Sequence, residues 1–153
     1  MNVLFVCTGN TCRSPMAEAI LLDHLKRSNQ LERVSVKSAG LYTTDGIKTS
    51  AGTRFALEAH QIDFDGESTQ MTESLIDWAD IILTMTESHR RALISLNPER
   101  RERVYALKDY VYKDLSDYDK NIRDPFGQDE NTYLETFDEI EAAIKRFIEK
   151  INL

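Results

Sequence analysis

VLFVCTGNTCRSPMAEAI, residues 3–20, sets an apolar run, a small polar turn and a helix-patterned run end to end. Val3–Val6 is short, rich in β-branched and aromatic residues, and bounded by turn formers, the pattern of a strand buried on both faces. Over residues 15–28, Met16, Ala17, Ile20, Leu21 and Leu25 recur at helical spacing. The connection is a strand–loop–helix unit, and open α/β sheets bind anions beyond the carboxyl ends of their strands. Cys7, Cys12 and Arg13 all fall in or beside that connection.

Outward from this stretch the same alternation repeats. Val34–Lys37 reads as a second strand ending in Ser38-Ala39-Gly40, and Thr49–His60 as a helix with Phe55, Ala56 and Ala59 on one face. Ala79–Met85 is the clearest central strand. Glu87–Leu96 is a helix stopped by Asn97-Pro98, and Val104–Leu107 is a short last strand. Tyr133, Phe137, Ile140, Ile144, Phe147 and Ile151 then step by four and three, the stripe of a long closing helix. Strands alternating with helices predict an α/β fold in three layers, a parallel sheet with helices on both faces and a phosphate-binding loop after the first strand.

The chain has 153 residues, enough for one domain with a substantial core, and no repeat or linker divides it. No run reaches the roughly 18 apolar residues of a membrane span, and no secretory leader is visible. A cytoplasmic, monomeric protein is expected, with no membrane partner. The net charge of −7, concentrated after Lys108, disfavours nucleic acid as a partner. Arg90, Arg91, Arg100, Arg101 and Arg103 read as a solvated helix face and its following turn. His24, His60 and His89 lie scattered in helical patterns and read as surface or half-buried side chains. Trp78 reads as packing.

The loop itself carries the chemistry. Thr8, Gly9, Asn10, Thr11 and Cys12 are small or polar, and Gly9 and Asn10 tolerate positive φ, so successive N–H groups can turn inward as an anion nest. Ser14 suits an N-cap and Pro15 the first helical position, which aims the helix's positive end at the same space. Arg13 adds a planar fork matched to two phosphate oxygens. Three sources of positive potential converge on the Cys7 thiol and favour its anion, a nucleophile at the floor of a phosphate-sized cup. No Gly-Lys-Ser/Thr loop or G-x-G-x-x-G turn offers a competing nucleotide site.

This C-x5-R-Ser-Pro stretch, with SAG at 38–40 and RDPFG at 123–127, resembles the low-molecular-weight protein tyrosine phosphatases over essentially the full chain, and among them the bacterial protein-arginine phosphatases most. The resemblance implies a four-stranded parallel sheet, no metal or cofactor, phosphorylated proteins as substrates, and a covalent phosphocysteine intermediate. It implies Cys7 as nucleophile, Arg13 as phosphate clamp and Asp124 as general acid. Asn10 would brace the loop, and the Ser14 hydroxyl would stabilise the thiolate.

Such chemistry needs a proton for the leaving group and then a base for water, and one carboxyl can serve both in turn. Asp124 precedes Pro125, which restrains Asp124 to an extended conformation and so fixes the angle of its carboxyl. Phe126 follows and could wall the pocket against a flat leaving group. Thr11 takes the place where the tyrosine-specific relatives commonly carry a bulky apolar residue. Its hydroxyl leaves room and polarity for a guanidinium, which favours phosphoarginine, with phosphotyrosine the alternative. Cys12 could form a disulfide with an oxidised Cys7, a reversible switch that the resemblance also supports. A thioredoxin-linked arsenate reductase would need a further cysteine pair that the chain lacks. A non-catalytic phosphate binder would have no use for the thiol or the acid.

Overall fold

The computed structural model describes residues 1–153. Four strands, β1 (Asn2–Cys7), β2 (Ser35–Gly40), β3 (Ile81–Thr84) and β4 (Val104–Ala106), form one parallel sheet in the order β2-β1-β3-β4. The chain runs outward from β1 to β2, then crosses back to β3 on the other side. The order therefore reverses between β1 and β3, and a crevice opens beyond their carboxyl ends. Cys7, the last residue of β1, stands at that crevice.

Alternation along β1 divides the core in two. Val3, Phe5 and Cys7 face a layer built from α1 (Arg13–Arg27), α2 (Ala51–Ala59) and α6 (Glu130–Lys150). Leu4 and Val6 face α3 (Glu73–Trp78) and α4 (Glu87–Leu96), which supply Ile76 and Leu93. Because both faces are covered, the run from Val3 to Val6 has no polar residue and no exposed surface. The α6 stripe is buried as its spacing predicts from Tyr133 to Phe147, and Ile151 caps the helix end, half-buried.

Several boundaries differ from the sequence reading for physical reasons. β2 extends through Ser38-Ala39-Gly40, because Val6 and Cys7 of β1 pair with Ala39 and Gly40. A Cβ on Gly40 would lie 2.7 Å from the Thr8 carbonyl oxygen, so only glycine lets β2 run this close to the loop. Helix α2 begins two residues late, since the Ser50 hydroxyl caps it by accepting from Thr53 N–H. Strand β3 is shorter than Ala79–Met85 at both ends. Helices α3 and α5 (Leu107–Val111) were not foreseen, each being too short to show a helical period. Pro98–Arg103 forms a 3-10 turn.

The expected cap of α1 also differs. The helix starts at Arg13, and its capping residue Cys12 makes no side-chain cap bond. Ser14 is the second helical residue and Pro15 the third. Proline is tolerated there because first-turn N–H groups have no partner within the helix. Ser14 is thereby released for another partner.

Candidate active site

Residues 7–13 wrap a cleft of about 250 Å3 that is lined by Cys7, Thr8, Gly9, Thr11, Cys12, Arg13, Asp124 and Phe126. Asn10 adopts φ 55°, the left-handed region, whereas Gly9 does not have positive φ. Asn10 is anchored hard in compensation and is only 1% exposed. Its Oδ1 accepts from Thr69 N–H at 2.8 Å, which fixes the amide's orientation. Its Nδ2 then donates to Ser14 Oγ at 2.8 Å and to Ser38 Oγ at 2.9 Å.

Those two bonds give the network a direction. An amide nitrogen only donates, so each serine oxygen accepts from Asn10 and keeps its own proton for another partner. The Ser14 proton has Cys7 Sγ 2.9 Å away. The Asn10 backbone N–H also points at that sulfur, at 3.3 Å. The Ser38 proton goes to the Glu18 carboxylate, whose pKa burial pushes up from its ordinary value. Two donors thus aim at a sulfur that is 3% exposed, placed at the floor of the cleft.

Arg13 is buried at the first position of α1, with its fork directed across the crevice. Nη1 donates to the Ile122 carbonyl at 2.9 Å, and Nη2 faces Asp124 Oδ2 at 3.6 Å. Ile122 is itself pinned, fully buried and donating its N–H to the carbonyl of Met85, just beyond β3. This pin brings the segment around residues 122–127 over the cleft although it lies far from the loop in sequence. Asp124 is half-exposed, and its Oδ1 accepts from Phe126 N–H at 3.2 Å, closing a turn over Pro125. Phe126 stands 70% exposed at the cleft mouth.

The two cysteines do not face the same partners. Cys12 Sγ lies 3.3 Å from Ser50 Oγ and 3.5 Å from Tyr133 Oη. Burial, and then the bond to Cys12, push the Tyr133 phenol up to about 12. Both thiols are free and buried. No group of three or more His, Cys, Asp or Glu side chains is gathered as a metal would require. No helix is long and apolar enough to cross a membrane.

The sequence model of the low molecular weight phosphotyrosine protein phosphatases matches residues 2–153. The chain belongs to that family. It is 39% identical to a protein-arginine-phosphatase of Geobacillus stearothermophilus over 150 residues, 98% of this chain and 95% of that one. It is 35% identical to the low molecular weight protein-tyrosine-phosphatase PtpB of Staphylococcus haemolyticus over 140 residues, covering 92% of each. The solved structure of a YwlE arginine phosphatase mutant with a phosphorylated active-site serine superposes with a TM-score of 0.92. That match has 34% identity and covers 99% of this chain and 96% of the other. This low-molecular-weight phosphatase is therefore a cysteine-dependent hydrolase of phosphorylated proteins, built on the expected four-stranded sheet.

Within this phosphatase, Cys7, Thr8, Gly9, Thr11, Cys12 and Arg13 line one cleft with Asp124 and Phe126, while Asn10 and Ser14 lie buried behind Cys7. Others escaped the sequence reading. Glu18 and Ser38 complete the Asn10 network, and Glu18 had a visible signal, four residues after Ser14 and so on the same helix face. Ser50, the cap of α2, and Tyr133 of α6 reach Cys12 from distant parts of the chain, which no local pattern announces. His89 is only 7% exposed, and its Nε2 lies 2.8 Å from Thr8 Oγ1 in the phosphate loop. It is far from a surface residue. His60, by contrast, stacks on Phe137 with ring centroids 3.6 Å apart, away from the cleft.

Proposed function

We propose that this phosphatase removes the phosphoryl group from phosphoarginine in proteins, with residues 1–153 acting as one catalytic unit in the cytoplasm. Cys7 Sγ attacks phosphorus as the P–N bond breaks, giving a phosphocysteine enzyme. Arg13 and the backbone N–H groups of residues 8–13 hold the phosphoryl oxygens, whose charge is spread in the transition state. Asp124 delivers its proton to the departing guanidine nitrogen. The resulting carboxylate then takes a proton from water, the water oxygen attacks phosphorus, and the S–P bond breaks to release phosphate and the Cys7 thiolate. Ser14 and Asn10 stabilise that thiolate at the start and end of the cycle.

The observation that carries arginine specificity is Thr11. It lines the cleft opposite the Asp124–Phe126 segment, so the leaving group meets a small, polar wall. A guanidinium carries hydrogen-bond donors around its plane, and the Thr11 hydroxyl and a carboxyl oxygen of Asp124 accept from them. A phenol ring prefers an apolar wall in the same place. The protein-arginine-phosphatase relative supports this choice, and the tyrosine phosphatase relative, matched over 92% of each chain, keeps phosphotyrosine as the second reading. The exposed Phe126 ring suits either leaving group.

Phosphate release from phosphoarginine and phosphotyrosine peptides by wild type and Thr11→Ile tests the proposal. Wild type prefers phosphoarginine, and Thr11→Ile shifts the ratio toward phosphotyrosine by roughly tenfold, the scale of one methyl-sized change in a pocket. An unchanged ratio removes Thr11 as the basis of specificity.

A further inference from the structure

His89 occupies the third position of α4, in the helical layer opposite α1, yet its ring reaches the phosphate loop. Nε2 meets Thr8 Oγ1, while Nδ1 is buried with no hydrogen-bond partner. Burial, followed by the charge of Arg13, pushes the imidazole down to about 4, so the ring is neutral near pH 7 and carries one N–H. Placed on Nδ1, that proton would be a buried donor with no acceptor, which is rarer and costlier than an unfilled acceptor. The proton therefore sits on Nε2, and His89 donates to Thr8 Oγ1.

The consequence falls on Thr8. Its oxygen accepts from His89, so its own proton is directed elsewhere. Thr8 lines the cleft beside Cys7 and Arg13, and its hydroxyl bonds no other protein group. We propose that His89 is a positioning residue that turns the Thr8 hydroxyl proton into the cleft, where it bonds a phosphoryl oxygen of the substrate. This rests on the phosphatase reading of the cleft. The pair would add one neutral, oriented donor to the charged fork of Arg13. Its orientation is fixed before substrate arrives, so no reorganisation is needed at the moment of reaction.

Calorimetric titration with inorganic phosphate reads this directly and needs no turnover. Thr8→Val keeps the side-chain shape and loses the hydroxyl, and it weakens phosphate binding about tenfold, the scale of one hydrogen bond to a charged acceptor. His89→Leu weakens it to the same degree, and the double variant is no worse than either single one. His89→Gln, whose amide nitrogen reaches the place of Nε2, recovers most of the loss. A purely structural role would lower the melting temperature of His89→Leu and leave phosphate affinity in the folded protein intact. That result, additive losses, or wild-type affinity in Thr8→Val each overturn the proposal. Should His89→Leu not fold, Thr8→Val and His89→Gln decide. Hydrolysis of para-nitrophenyl phosphate by wild type beside Cys7→Ser is a separate readout, whose failure sinks the phosphatase reading instead.

Discussion

The Ser14 hydroxyl points its proton at Cys7 Sγ, 2.9 Å away, because Asn10 occupies the oxygen from the other side. Ser14 is fully buried and Cys7 Sγ is the acceptor available to its proton, which sets the direction of that bond. That direction makes Ser14 a fixed dipole aimed at the sulfur, and the Asn10 backbone N–H, 3.3 Å away, points at the same atom.

Ser14→Ala removes that dipole and leaves the Asn10 amide short of one acceptor. Turnover falls about 10- to 100-fold, in line with the loss of a hydrogen bond to a charged group. The rate of Cys7 alkylation by iodoacetamide near pH 7 falls in parallel. A variant with slower turnover and unchanged alkylation would show that Ser14 acts on something other than the thiolate.

Asp124→Asn separates proton transfer from phosphate binding. It lowers kcat for phosphopeptides by about 100-fold or more, within the range that general acid–base catalysis contributes. Inhibition by inorganic phosphate stays as strong or strengthens, because the Arg13 fork no longer faces a carboxylate at 3.6 Å. Steady-state kinetics with phosphate as competing inhibitor measures both.

We propose that Cys12 resolves an oxidised Cys7, which it accompanies in the loop, although in this structure its contacts run to Ser50 and Tyr133. Cys12→Ser retains measurable activity, but after peroxide treatment dithiothreitol restores less of it than in wild type. Cys7 without a resolving thiol proceeds to irreversible acids. Equal recovery in the two proteins would remove the switch.

The buried imidazole of His89 makes stability fall in mild acid. Its pKa drops from about 6.5 unfolded to about 4 folded, so between those values the unfolded chain binds a proton that the folded one refuses. Stability from this group is complete above about pH 6.5 and is lost progressively as pH falls toward 4. Burial pushes Glu18 the opposite way, its raised carboxyl gaining stability on acidification. Urea midpoints for wild type and His89→Gln between pH 7 and pH 4.5 isolate the histidine. The variant's curve is flatter.

Much of this architecture is legible because its signals are local. Val3–Val6 announces a doubly covered strand by having no polar residue. Glu87–Leu96 is bracketed by Thr86, whose hydroxyl caps it, and by Asn97-Pro98, and the helix occupies those limits. The loop chemistry is equally compact, seven residues carrying sulfur, guanidinium and nest. What escapes is created by topology. Asp124 meets Arg13 only because Ile122 is pinned beyond β3, and His89 meets Thr8 only because β1 and β3 are neighbours. Ser14 shows a local rule overridden. It is a good capping residue, yet Asn10 and Cys7 claim its hydroxyl and the helix begins two residues earlier, at Arg13, without a side-chain cap.

The most direct measurement is peptide mass spectrometry of Asp124→Asn quenched in acid during turnover of para-nitrophenyl phosphate. This substrate leaves without a general acid, so the first step proceeds while the second, deprived of its base, stalls. A single phosphoryl group on the peptide containing Cys7 is the predicted result. Release of nitrophenol with no phosphoryl group on that peptide, or with one carried by another residue, would contradict the account.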